Sequence, residues 1–246
     1  MLPKREHIKK SNNYENLQKE FVKLKALYNI SKKTNLFNVP KLLDFCNNTI
    51  RMERINRAVE LRWYLIWNNN LFHQNRLKLT TIFERLGKAL AVIHSRLVLP
   101  NKEEIIVPKG YSESEFCFLY GDLGLSNVLI KGKDIWLVDP STSSYQPYVF
   151  AYGPFYYDLA QLIEYMKVLI PLPGLMLYKR TNTLCFEKAF LEGYKQESGA
   201  TISEKKLNRM KIFILEQYLK KNPNFFPLKQ IWRQILRNEL KNIKKQ

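Results

Sequence analysis

The chain has 246 residues, with 40 Lys+Arg against 22 Asp+Glu (a formal charge of +18) and 46% hydrophobic residues. This composition excludes a wholly disordered chain. The longest apolar run, Val168 to Tyr178, is broken by Pro171, Pro173 and Gly174, well short of the roughly 20 residues a spanning helix needs. Three scattered cysteines (Cys46, Cys117, Cys185), with no CxxC spacing, argue against a disulfide framework or a zinc finger and fit a reducing compartment. The basic N-terminus lacks an apolar h-region, so no secretory signal is expected, and the expected location is cytoplasmic. The charge leaves three readings open: a nucleic-acid binder, a protein near anionic membranes, or a Lys- and Asn-rich chain whose bias is mostly compositional.

Along the chain, Tyr14, Leu17, Phe21, Leu24 and Tyr28 recur at helical spacing and predict a helix over Asn13 to Ile30. Glu20 sits beside that stripe and needs a cationic or hydrogen-bonding partner if it is buried. Val39 to Phe45 and Thr49 to Ile55 read as two strands around the turn-like Cys46-Asn47-Asn48. The Lys/Asn-rich patches Lys9 to Asn13, Asn68 to Asn70 and Lys220 to Asn224 read as loops or solvated helix ends. Thr81 and Glu84 have capping-box spacing, followed by the stripe Ile82, Phe83, Leu86, Leu90 and Ile93. Phe116 to Leu119 reads as a buried strand entering the turn Tyr120-Gly121-Asp122-Leu123-Gly124. Val128 to Ile130 and Ile135 to Val138 form a hairpin across Lys131-Gly132-Lys133-Asp134. From Tyr157 the pattern is helical. The last helix carries Leu228, Ile231, Trp232, Ile235, Leu236 and Leu240 on one face and Arg233, Arg237, Lys241 and Lys244 mostly on the other.

Three polar residues stand on these apolar elements. Asp122 follows a strand, Asn127 precedes the hairpin and Asp139 closes it. Folding Ile130 onto Ile135 makes Asn127 and Asp139 neighbours, an oxygen pair suited to Mg²⁺. Asp122 is then placed to accept a proton from an attacking hydroxyl. This is the D-x-x-x-x-N plus D logic of kinase-type phosphoryl transfer.

Gly121-Asp122-Leu123-Gly124-Leu125-Ser126-Asn127-Val128-Leu129-Ile130, then Leu137-Val138-Asp139-Pro140, then Tyr157-Asp158-Leu159-Ala160 resemble the signature of the aminoglycoside phosphotransferase (APH)/choline kinase family. Gly87 to His94 resembles the helix before that signature, and Val39 to Phe45 with Met52-Glu53 the strands leading to its hinge. The resemblance implies an α+β fold, bilobal and protein-kinase-like, with a reduced β-containing N-lobe over residues 1–55 and a mainly helical C-lobe over 56–246. It implies ATP and Mg²⁺ as cofactors and a small-molecule hydroxyl, on a sugar or an amino alcohol, as acceptor. Carried over, Asp122 is the catalytic base and Asn127 and Asp139 hold the metal. Asp158 steadies the loop. Glu20 pairs with a phosphate-contacting lysine, Lys9 in preference to Lys10. Met52, Glu53 and Arg54 offer backbone groups to adenine. The chain departs from the family in four places: Tyr120 and Gly124 stand where His is usual, Asp139 and Asp158 are farther apart, with Ser141 to Gly153 a candidate lid loop, and no Gly-rich loop precedes Lys9.

Plainer readings stand beside these. Asp122 alone is a common turn residue, Glu20 and Lys9 are ordinary solvated residues, and His94 is a helix-end structural residue. His7 and His73 are surface residues. Tyr145, Tyr148, Tyr152, Tyr156 and Tyr157 pack a long loop, and Leu169 to Leu177 is core or pocket wall. The alternative functions are a compact protein kinase-like enzyme, against which the lack of an A-P-E segment counts, and a catalytically weak module that binds a partner or nucleic acid.

Overall fold

The computed structural model describes residues 6–10, 13–68, 73–140, 148–167, 180–221 and 227–245. The N-terminal part is a three-stranded antiparallel sheet and one helix. Strand β1 (Glu6–Lys10) pairs with β3 (Thr49–Glu53), which pairs with β2 (Leu42–Cys46). Asn47 and Asn48 make the β2–β3 turn with φ of 49° and 54°, the left-handed region that Asn tolerates better than most residues. Lys9 and Lys10 thus lie at the end of a strand, as a strand lysine paired with Glu20 requires, and not in a loop as their Lys/Asn-rich patch reads.

Helix α1 (Tyr14–Ser31) is capped by the Asn13 side chain, which accepts the Asn16 N–H at 3.0 Å. Its buried face carries Leu17, Glu20, Lys23, Leu24, Leu27 and Ile30. The expected stripe is therefore rotated: Tyr14 is exposed, its ring tilted against that of Phe45 at 5.7 Å, while Glu20 lies inside the face. Leu27 and Ile30 pull the helix round, because they bury more apolar surface than a Tyr in its first turn.

After β4 (Val59–Glu60) and α2 (Leu61–Asn68) comes α3 (His73–Arg96). Thr81 is not a cap. It lies inside α3, and its hydroxyl donates to the Leu77 carbonyl at 3.0 Å, four residues back. Phe83, Leu86, Leu90 and Ile93 are buried as the spacing requires, with Ile82 half-buried. Strand β6 (Phe116–Phe118) follows β5 (Glu103–Glu104). The hairpin of β7 (Val128–Lys131) and β8 (Asp134–Leu137) pairs Val128 with Leu137 and Ile130 with Ile135. β4 extends this hairpin into a second sheet, of order β4-β7-β8.

The segment Ser141 to Gly153 is not all loop. Residues 141–147, with Tyr145, lie outside the described residues, but β9 (Ala151–Pro154) pairs antiparallel with β6 and parallel with β5. Phe116 and Phe118 pack their rings against Tyr152. Helix α4 (Tyr156–Lys167) follows, then α5 (Arg180–Ser198), α6 (Glu204–Lys221) and α7 (Pro227–Lys244). The run Leu169 to Leu177 lies outside the described residues, as do the side chains of His73, Leu228, Ile231, Trp232, Arg233 and Ile235. On α7, Leu236 and Ile243 are buried and Leu240 is half-buried. Among the described residues, no helix is long and apolar enough to cross a membrane.

Helices α3 and α5 cross at backbone contact. A Cβ on Gly87 would lie 2.0 Å from the Phe190 carbonyl oxygen, and one on Gly193 would lie 2.1 Å from that of Glu84. The Phe83 and Phe186 rings stack beside this crossing at 5.2 Å. It seats the last turn of α3, which carries His94, beside the turn that follows β6.

Candidate active site

The chain leaves β6 through the buried Leu119 and Tyr120 and turns at Gly121, with φ of 91°. Asp158, fully buried in the first turn of α4, organises this turn. Its Oδ2 accepts the Tyr120 N–H at 2.7 Å and its Oδ1 the Gly121 N–H at 2.9 Å. His94 Nε2 meets Oδ2 at 2.9 Å, and its Nδ1 meets the Tyr194 hydroxyl at 2.9 Å. His94 is structural, as its place at a helix end suggested. The Tyr120 hydroxyl donates to the Val138 carbonyl at 2.5 Å, tying the turn to the residue before Asp139.

Asp122 is held from two sides. Asn127 Nδ2 donates to its carbonyl at 2.9 Å and to Oδ2 at 3.0 Å. The Tyr165 hydroxyl reaches Oδ1 at 3.4 Å. Burial, and then the negative charge of Asp139, push the Asp122 pKa up to about 6, while the bonds from Asn127 and Tyr165 act the other way. The Val138 N–H donates to the Asn127 carbonyl at 3.0 Å, so the two ends of the hairpin close as expected. Asp139 follows in a left-handed conformation, with φ of 54°.

Across the gap, the Lys9 ammonium on β1 donates to Glu20 Oε1 on α1 at 2.7 Å and also to Asp139 Oδ1. Burial works against the charged lysine, but the Glu20 and Asp139 carboxylates outweigh it and hold its pKa above the ordinary value. Lys9, Glu20, Asn127 and Asp139 line one cleft of about 330 Å³, together with Met52, Glu53 and Arg54 on one wall and Pro40, Leu129 and Val138 as apolar lining. The Glu53 N–H already donates to the Lys41 carbonyl at 2.9 Å, so it is engaged by the residue that precedes β2. Asp122 does not line this cleft; its link to the cleft is Asn127.

Three contributors escaped the sequence reading. Lys23 on α1 is fully buried behind the turn. Tyr165 touches Asp122. Glu103 receives the Phe150 N–H at 2.7 Å and pairs with Lys19 at 2.7 Å. Only Lys23 had a usable signal: a stripe taken through Leu17, Glu20, Leu24 and Leu27 places residue 23 on its edge.

No family model matches the chain, and no curated protein does. Solved structures do share its architecture. A glucosamine kinase in complex with glucosamine, ADP and inorganic phosphate aligns with a TM-score of 0.61 at 12% identity, over 89% of this chain and 70% of that one. The choline kinase LicA from Streptococcus pneumoniae aligns at 0.59 and 16% identity, over 98% of this chain and 88% of that one. A choline/ethanolamine kinase family protein from Mesorhizobium loti aligns at 0.59 and 13% identity, over 98% and 82%. The fold is protein-kinase-like. At these identities the likeness establishes architecture, the α+β bilobal arrangement expected from the sequence.

Proposed function

We propose that this chain is an ATP- and Mg²⁺-dependent phosphotransferase that moves the γ-phosphate to a hydroxyl of a small molecule. One observation carries the reading: Asn127 and Asp139 meet the Lys9–Glu20 pair in a single cleft, with Asp122 bonded to Asn127 directly behind. The names of the fold neighbours, glucosamine kinase and choline kinase, favour a small-molecule acceptor, and the ADP and phosphate of one favour ATP as donor. We take residues 1–55 as the small lobe and 56–246 as the large one.

In this reading Asp122 accepts the proton of the acceptor hydroxyl. With a pKa of about 6 it is ionised at neutral pH and still basic enough to serve. Lys9, oriented by Glu20, contacts the donor phosphates, and the wall of Met52, Glu53 and Arg54 receives the adenine. Asn127 and Asp139 present an amide and a carboxylate oxygen, donors that fit Mg²⁺. A Mg²⁺ ion held by these two residues would supply positive charge to offset that of the phosphates. What the chain supplies is chiefly positioning.

A panel of sugars and amino alcohols, with ADP formation from Mg·ATP as readout, tests the proposal. Asp122→Asn lowers transfer by about 10³-fold and leaves the melting temperature within a few degrees. Wild-type turnover in that variant would refute Asp122 as the base. Mg·ADP at 100 times its Kd stabilises the fold by about 2.7 kcal/mol; a protein that no nucleotide stabilises is not this enzyme.

A further inference from the structure

Lys23 is fully buried on α1, and none of the roles above uses it. Its ammonium donates to the carbonyls of Tyr120 at 2.7 Å and Val149 at 2.9 Å. The first carbonyl belongs to the peptide joining Tyr120 to Gly121, whose N–H donates to Asp158 Oδ1. In a trans peptide the C=O and N–H point in opposite directions. The Tyr120–Gly121 peptide plane, one residue ahead of the peptide that enters Asp122, is thus held between a buried cation and a buried carboxylate. The left-handed φ of Gly121 permits that plane, and a Cβ there would lie 3.5 Å from Lys23 Nζ. The second carbonyl belongs to the segment entering β9. One turn earlier on α1, Lys19 reaches the same segment through Glu103, which binds the Phe150 N–H.

We infer that Lys23 is a positioning residue that fixes the peptide plane aiming Asp122, and that it couples the helix carrying Glu20 to the proton-accepting turn. The neighbours of its ammonium fit a group held charged in the interior: burial lowers its pKa to about 8, while Asp158, Glu20, Asp122 and Glu103 favour the charged form. A buried lysine that only filled space would be a costly filler, because unsatisfied ammonium groups are expelled from interiors. This one meets two carbonyls that would otherwise lose their donor.

The effect on turnover rests on the phosphotransferase reading, whereas the effect on the turn does not. Lys23→Met keeps length and apolar contact and removes the donors; Lys23→Gln keeps a shorter donor. Three quantities decide: hydrogen exchange at the Gly121 amide against amides of α6, Mg·ADP affinity, and Mg·ATP turnover. In Lys23→Met, Gly121 exchange rises at least about tenfold with α6 unchanged. Turnover falls by about ten- to a hundredfold, and the Mg·ADP Kd moves less than about threefold. Lys23→Gln lies between, and it decides by the same comparison if the Met variant does not fold. Unchanged Gly121 exchange, exchange rising equally throughout, or wild-type turnover in a folded variant would overturn the inference. If the wild type shows no turnover with any acceptor, the phosphotransferase reading fails, and the exchange comparison still judges Lys23.

Discussion

Tyr120 stands where the resembling family usually has His, and its hydroxyl does what a shorter ring could not do by the same route: it spans from the Asp122 turn to the Val138 carbonyl. Tyr120→Phe leaves that part-buried carbonyl without its donor. Stability should fall by about 1–2 kcal/mol, and Mg·ATP turnover should fall with it as the Asp122 and Asp139 segments lose their tie. Calorimetry and a turnover assay on one preparation check both; an unchanged variant would make the bond incidental. Asp122, Asn127, Asp139 and Asp158 were legible because each follows or precedes a strand, helix or hairpin that the hydrophobic pattern already marks. Lys9 was favoured over Lys10 because it follows an apolar residue, and Lys9 is the one beside Glu20. Lys23 could be read only as lying on the edge of the stripe through Leu17, Glu20, Leu24 and Leu27, not as a buried group with named partners. Its partners lie 97 and 126 residues away, and a Lys on a helix ordinarily reads as solvated.

The crossing of α3 and α5 leaves no room for a methyl group at either glycine. Gly87→Ala should cost about 3 kcal/mol or more, a drop of about 10 °C in melting temperature, while a surface Ala substitution such as Lys188→Ala barely moves it. A second element-scale effect comes from α4. Glu164 is fully buried, and among the described residues neither carboxyl oxygen has a hydrogen-bond partner. Burial, aided by Glu239 and Glu187 and opposed by Lys167 and Lys211, raises its pKa from 4.5 to about 8. The folded chain therefore keeps a proton that the unfolded chain releases. Stability contributed by this group is whole below about pH 4.5 and is lost as pH rises towards 8. Glu164→Gln should raise the melting temperature at pH 8.5 by at least about 5 °C and change it little at pH 5. Equal shifts at both pH values would show that the carboxyl is not protonated in the fold. Elements with strong periodicity, such as the β7–β8 hairpin and α3, were read with the right pairing or face. The short β9 was missed because its four residues show no alternation, and its pairing comes from β5 and β6, remote in sequence. Thr81 misled because Ser/Thr-x-x-Glu also fits inside a helix, where the hydroxyl bonds its own preceding turn.

At the scale of the molecule, α1 is anchored by charge as well as by packing to segments about a hundred residues downstream: Lys23 to two carbonyls, and Lys19 to Glu103. β4 then continues the chain into the hairpin sheet beside Leu129 and Ile130. Heating should produce one cooperative transition, with calorimetric and van't Hoff enthalpies equal. Two resolved transitions would mean that the anchors do not couple the lobes. The +18 charge acts on a larger length scale than any of these contacts. It favours approach of an anionic nucleotide, and raising ionic strength should slow Mg·ADP association more than it slows dissociation. A stopped-flow salt series reads this directly. The buried ammonium of Lys23 also bears on how such a chain could be cut. A break at residue 55 would strand a lysine on one fragment and two acceptor carbonyls on the other, so neither piece is a self-sufficient module. The two halves should instead work as a complementation pair, silent apart and reassembling only when both are present.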